Sequence, residues 1–519
     1  MKKLLFLFGI SSLILSCGSS QNKATTEAPK PIQVEVTDYA NSITSDELKE
    51  TLYTYASDEF EGRETGQPGQ KMAVEYLKES YVKLGIPSAM PNNDYFQEVP
   101  LQVLNVPTVN ITANEKAFTA IDDYLSVISS QDGSLKADDI IYAGYGIDDQ
   151  KYSSYADIDV KGKVVLIKSG EPKDAEGNFV ISGNEEASKW SNFRQAYASK
   201  RDAAKDNGAK AVLLYYPEIY NMAKRRFGSS NGRMAVKGKT ESFYYFMVSD
   251  NLAQFLHADI ETSEVMKIIN MPISIDYTND ATDFESENVA ALIKGSEKPD
   301  EIIVISAHLD HEGIKDGEIY NGADDDGSGT VAMLEIAEAF QEAVKNGQGP
   351  KRSILFLHVT GEEKGLLGSS YYTDVDPIFP LANTVTNLNI DMIGRTNPKR
   401  EGGDRNYVYL IGSDKLSTEL HNISEEVNTK YCNVELDYTY NDDNDPNRFY
   451  YRSDHYNFAK NNVPVIFYFN GTHDDYHQPS DTPDKIEYDL LENRTRLIFH
   501  TAWELANRDQ RITVDKATE

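Results

Sequence analysis

The sequence predicts an α/β chain: a three-layer α/β/α sandwich with a mixed, mainly parallel sheet, plus an inserted β-rich module. Three observations predict it. From Glu287 onward, apolar runs of strand length alternate with amphipathic helices, the pattern of a sheet covered on both faces. Between about 105 and 282 the texture changes to short β-like runs, so a separate module interrupts the sandwich. At 519 residues the chain also exceeds what one ordinary core organises.

The chain opens MKKLLFLFGISSLILSC, in which two lysines precede an apolar run from Leu4 to Leu15. That run is too short to span a bilayer and fits the core of a signal peptide. Ile14-Leu15-Ser16-Cys17 resembles a bacterial lipobox. The resemblance implies cleavage before Cys17, acylation of that cysteine, and export to a bacterial membrane facing the periplasm or the cell surface. Residues 1–17 are therefore expected to be a lipoprotein signal peptide, and 18–40, which begins GSSQNKATTEAPKP, a flexible tether. After processing Cys432 is the one free thiol, so no intramolecular disulfide is expected.

Residues 41–104 form the first part of the sandwich domain. Val74, Leu77, Tyr81 and Leu84 recur at helical spacing, and Gly85 and Pro87 end the helix. The insert, 105–282, carries DDIIYAGYG, GKVVLIKSG and AKAVLLYYP with a helix between the last two. The pair KGKVVLIKSG and AAKDNGAKAVLLYY resembles the protease-associated domain. The main part, 283–519, supplies NVAALIKGS, EIIVISAHLDH, RSILFLHVTGEE, TNLNIDMIG and VPVIFYFNG as strands. It also supplies a helix whose buried face is expected to be Met333, Ile336, Ala337, Phe340 and Val344.

Charge narrows the function. Against 83 Asp plus Glu stand 51 Lys plus Arg, and a net −32 repels nucleic acid phosphates and anionic lipid, so no polynucleotide partner is expected and membrane contact is expected only through the anchor at Cys17. In open α/β sheets ligands collect at the carboxyl ends of strands. There the strand runs deliver His308, then Glu362 and Glu363, then Asp391; the loop after VPVIFYFNG carries His473 and His477, and NGADDDGSG places Asp324, Asp325 and Asp326 before a helix. Imidazoles and carboxylates converging on one crevice suit a zinc-like cation.

AHLDHEG, NGADDDGSG, TGEEKGLLGS, NIDMIG and DDYHQPSDTPDKI resemble the motifs of the co-catalytic, dinuclear zinc aminopeptidase family of peptidase clan MH. The resemblance implies a zinc-peptidase sandwich and two Zn²⁺ ions per subunit: His308 and Asp391 on one, Glu363 and His477 on the other, and Asp325 bridging both. Three carboxylates against two dications leave one positive charge for a bridging hydroxide, which zinc generates near neutral pH. Glu362 is implied as general base and acid, Asp310 as the residue that fixes the His308 imidazole, and Tyr476 as an oxyanion donor. His311, His455 and His473 are expected as hydrogen-bonding neighbours. The implied substrates are peptides and the implied reaction is removal of amino-terminal residues. Carboxypeptidase and glutaminyl cyclase activities are alternatives on the same fold, the first kept open by Arg395 and Arg452; a metal-free binding relative is another.

Overall fold

The computed structural model describes residues 34–192, 195–228, 232–238 and 241–516. The expected leader, Cys17 and the tether up to residue 33 lie outside the described residues. The tether expected over 18–40 ends early, because Val36–Ser42 is already a helix. Tyr39 explains why: it is buried, stacks on Trp503 at 5.8 Å, and its hydroxyl donates to Gln348 Oε1 at 2.6 Å.

The central sheet has nine strands: β1 (Phe96–Leu104), β2 (Arg233–Val236), β3 (Ala281–Ile293), β4 (Lys298–His308), β5 (Arg352–Val359), β6 (Thr384–Ile390), β7 (Tyr407–Ile411), β8 (Glu435–Asp437) and β9 (Val465–Phe469). In space they run β8-β7-β9-β6-β4-β5-β3-β1-β2. The four central strands, β9, β6, β4 and β5, are mutually parallel, while β3, β1 and β2 extend the sheet antiparallel on one side. Every residue of β5, β6 and β9 is buried, as expected for strands covered on both faces. One face packs the helices Ser45–Tyr55, Pro68–Leu84, Gly329–Lys345, Thr418–Tyr431 and Tyr488–Asn507; the other packs Leu367–Asp374 and His455–Ala459.

Local sequence explains the helix ends. Pro68–Leu84 starts with proline at its first position, where a missing N–H costs nothing, and stops at Gly85, whose φ of 76° favours glycine. In Gly329–Lys345 the expected face is buried at Met333, Ile336, Ala337 and Phe340, but Val344 is 39% exposed. It sits in the last turn, where the helix has passed the edge of its partners.

The insert folds around two separate clusters and carries a six-stranded and a four-stranded sheet. Strands 140–142, 164–168, 211–215 and 244–248 are parallel neighbours. One strand within its expected bounds, β2, pairs instead with β1 of the central sheet.

Glu335, in the Gly329–Lys345 helix, is 7% exposed, and burial together with Glu47 and Glu338 pushes its carboxyl up to about 8. A carboxyl raised above its unfolded value favours the folded state at low pH, and that stability is lost as pH rises from about 4.5 to about 8. Glu335→Gln is therefore expected to stabilise the protein at pH 9 by on the order of 3 kcal/mol and to do little at pH 4.5, read from denaturant midpoints at both pH values.

Candidate metal centre

The parallel strands aim their ends at one crevice. β4 ends at His308, β6 is followed directly by Asp391, and the chain after β5 turns at Gly361, with φ of 68°, to present Glu362 and Glu363. The loop after β9 brings in His473, Tyr476 and His477.

The three consecutive aspartates divide their work. Asp326 Oδ1 accepts from Met392 N (3.1 Å) and Gly329 N (3.0 Å), and its Oδ2 accepts from His308 N (3.2 Å). Asp324 Oδ1 accepts from Gly394 N at 2.7 Å and its Oδ2 faces His473 Nε2 at 3.0 Å. Both outer carboxylates thus fasten the strand ends to one another. The amides of Asp324 and Asp325 donate to buried Asp481. The middle carboxylate is left to face the crevice: Asp325 Oδ1 is 3.1 Å from His308 Nε2 and its Oδ2 is 3.1 Å from His477 Nε2.

Around Asp325 the remaining donors fall into place. Asp391 Oδ1 lies 3.7 Å from His308 Nε2, while its Oδ2 accepts from Ser453 Oγ at 2.6 Å, so one oxygen is tied back and the other is free to bind. Glu363 Oε2 lies 3.2 Å from His477 Nε2. Ligand atoms of His308, Asp325 and Asp391 lie within 4.8 Å of one another, as do those of His311, Asp325 and Glu363, and those of Glu312, Glu363 and His477. All five residues expected as ligands are therefore brought together.

Electrostatics fit a cation. Burial alone would lower His308, but Glu362, Asp325 and Asp391 push it well above its usual value. Burial and Asp325 push Glu363 up, yet His311 and His477 outweigh them and hold its carboxyl down at about 2. His477 is raised to about 10: burial lowers it, and Asp325 and Glu363 raise it by more. Buried Asp325 Oδ2, Glu363 Oε1 and His311 Nδ1 have no hydrogen-bond partner. Such orphaned atoms cost roughly 1–3 kcal/mol each unless something satisfies them. Nitrogen and carboxylate donors in this arrangement suit zinc.

Two expectations are corrected. Asp310 meets His308 Nδ1 through its backbone carbonyl at 3.0 Å, not its carboxylate, which is 4.0 Å away. The carboxylate instead accepts from Thr65 Oγ1 (2.8 Å) and Glu362 N (3.1 Å), and so holds the turn that carries Glu362. His311 sits beside Glu363, with Nδ1 2.8 Å from Oε1, and also stands among the ligand groups. His455 is a packing residue, stacked on Phe467 at 4.7 Å. Tyr476 stacks on His477 at 3.9 Å, its hydroxyl accepts from Arg452 at 3.4 Å, and burial and the nearby carboxylates keep its phenol protonated. With Asp325, Glu362, Asp391, Met392 and Phe467 it lines a cavity of about 30 Å³. Sequence reasoning missed Ser453, which lies outside the five motifs, and Glu312, which lies inside AHLDHEG and whose Oε1 is 3.5 Å from His477 Nδ1.

A family model described as peptidase family M28 matches residues 288–502. The match takes in the four parallel strands at the centre of the sheet and spans less than half of the chain. All five expected ligands and Glu362 lie in the matched stretch, while β1 and β2 lie before it. Aminopeptidase YwaD of Bacillus subtilis (strain 168) is 26% identical over 287 residues, 52% of this chain and 51% of its own length. Probable glutamate carboxypeptidase LAMP1 of Arabidopsis thaliana is 29% identical over 119 residues, 23% of this chain and 16% of its own. This chain thus spans about half or less of these curated relatives. Among solved structures, an aminopeptidase from Aneurinibacillus sp. strain AM-1 aligns with 93% of this chain and 99% of its own at 18% identity and a TM-score of 0.48.

Proposed function

We propose that the matched domain is a dinuclear zinc aminopeptidase that hydrolyses amino-terminal residues from peptides. In this reading His308 and Asp391 hold one ion, Glu363 and His477 hold the other, and Asp325 is shared. The observation that carries it is the placing of Asp325 between His308 and His477, with 3.1 Å to each. Zinc bound there would polarise a scissile carbonyl and make water a nucleophile near neutral pH.

The protein's own groups do the rest. Glu362 lines the cavity beside Asp325 and Asp391 without belonging to any donor group. Burial, with Glu363, Asp391 and Asp454, pushes its carboxyl well above the usual range. A raised carboxyl takes a proton from the attacking water and can hold it long enough to pass it to the departing amine. Tyr476, kept protonated, donates toward the carbonyl oxygen as charge develops there. Acidic Glu362 and Asp391 give a cationic amino terminus a favourable place.

Carboxypeptidase action is the second reading, and Arg452 favours it, because its side chain lines the same cavity and could take a substrate carboxylate. Arg395 is less suited, being paired with Asp475 at 3.1 Å. Peptides with free or acetylated amino ends, and free or amidated carboxyl ends, separate the two. Cleavage is expected to need the free amino end and to stop on adding a chelator. Equal cleavage of acetylated peptides removes the aminopeptidase assignment, and chelator-resistant cleavage removes the metal. Export with a lipid anchor at Cys17 belongs to the same proposal, and mass spectrometry of the amino-terminal peptide from the membrane fraction tests it.

A further inference from the structure

We propose that His311 is a sixth protein ligand of the metal centre, binding through Nδ1 the same ion as Glu363 and His477. This rests on the metal reading above and adds to it a residue outside the five-ligand set.

His311 is held facing the crevice from both its backbone and its ring. Its backbone N–H donates to Arg63 O at 3.2 Å, and the buried Arg63 guanidinium is itself fixed by the carbonyls of Leu309, Asn321 and Gly322. Gly322 lies against the ring: a Cβ there would fall 2.5 Å from His311 Cγ, so the absence of a side chain lets the imidazole lie where it does. The ring is fully buried, with Nδ1 2.8 Å from Glu363 Oε1 and 3.8 Å from Asp325 Oδ2.

None of these three atoms has a hydrogen bond of good geometry, although His311 Nδ1 lies 2.8 Å from Glu363 Oε1 and His477 Nε2 lies 3.1 Å from Asp325 Oδ2. Their lone pairs face one another across a gap that a divalent cation satisfies at once, whereas three unpaired buried atoms cost roughly 1–3 kcal/mol apiece. His477 approaches the same carboxylates from the other side, 3.2 Å from Glu363 Oε2 and 3.1 Å from Asp325 Oδ2. Two imidazoles and two carboxylates make a complete tetrahedral zinc set.

The consequence is an unequal pair of ions. His308, Asp391 and Asp325 supply three donors and leave a position open, the mark of a catalytic zinc. With His311 added, the Glu363 side would have four protein donors, a full tetrahedral set. Substrate would then reach the ion held by His308 and Asp391, while His311, Glu363 and His477 would hold the other ion tightly and fix Asp325 through it.

The test loads the protein with ¹¹³Cd after ¹⁵N-histidine labelling and counts imidazole nitrogens showing cadmium coupling. Three coupled nitrogens are expected: two of Nε2 type from His308 and His477, and one of Nδ1 type that disappears in His311→Gln. That variant is also expected to bind its tighter zinc about 10–100-fold more weakly. Two coupled nitrogens in the wild-type protein, both Nε2, would overturn the proposal and leave His311 as a neighbour of Glu363. Because the count is made on the wild-type chain, it stands even where the variant fails to fold. A wild-type protein that takes up neither cadmium nor zinc instead sinks the metal reading itself.

Discussion

Glu362→Gln lowers turnover by roughly 10²–10⁴-fold and leaves zinc content and KM nearly unchanged. The amide keeps the size and polarity of the carboxylate, and the turn survives, because Glu362 is anchored by its own backbone N–H to Asp310 Oδ1 at 3.1 Å. Among the described residues no converging donor group includes Glu362, so the ions lose no ligand. What disappears is the proton acceptor that burial and Glu363 hold poised. Steady-state rates beside metal analysis of the same preparation check it. Loss of zinc together with activity would make Glu362 a ligand, and retention of both would move the base elsewhere.

The core of the fold was readable because its strands are buried on both faces. ILFL within β5 and VIFYF in β9 are continuous apolar runs, as a covered parallel sheet requires, and the loops after the strand ends mark the crevice. YVYLI of β7 is as apolar and as buried, yet no chemical motif follows it, so it did not draw notice. The insert's contribution of β2 to the central sheet was not legible either: four residues, Arg233–Val236, carry too little pattern to reveal a partner as far back in the chain as Leu101–Leu104. In the site, position along a motif identified the groups that face inward. It could not tell a backbone carbonyl from a carboxylate at Asp310, because both belong to one residue. Nor could it place His311, whose direction depends on Arg63 and Gly322, residues distant in sequence.

Asp325→Ala is expected to empty the centre, reducing zinc from two ions per chain to one or none and activity by more than about a thousandfold. One carboxylate spans both imidazoles, so its removal takes an oxygen donor from each ion at once, whereas loss of Asp391 or Glu363 would affect one. The loop itself should hold, since its path is set by the outer aspartates, which accept Met392, Gly329, His308 and Gly394 amides, and by Asp481, which accepts the amides of Asp324 and Asp325. A ligand that binds only the folded state stabilises it by about 4 kcal/mol at a thousand times its Kd. The thermal midpoint of the wild-type protein is therefore expected to climb with added zinc, while that of Asp325→Ala stays flat and close to the chelator-treated wild type. A variant that still binds two ions with wild-type affinity would mean that Asp325 is not shared, and the pairing of His308 with His477 across it would need another explanation.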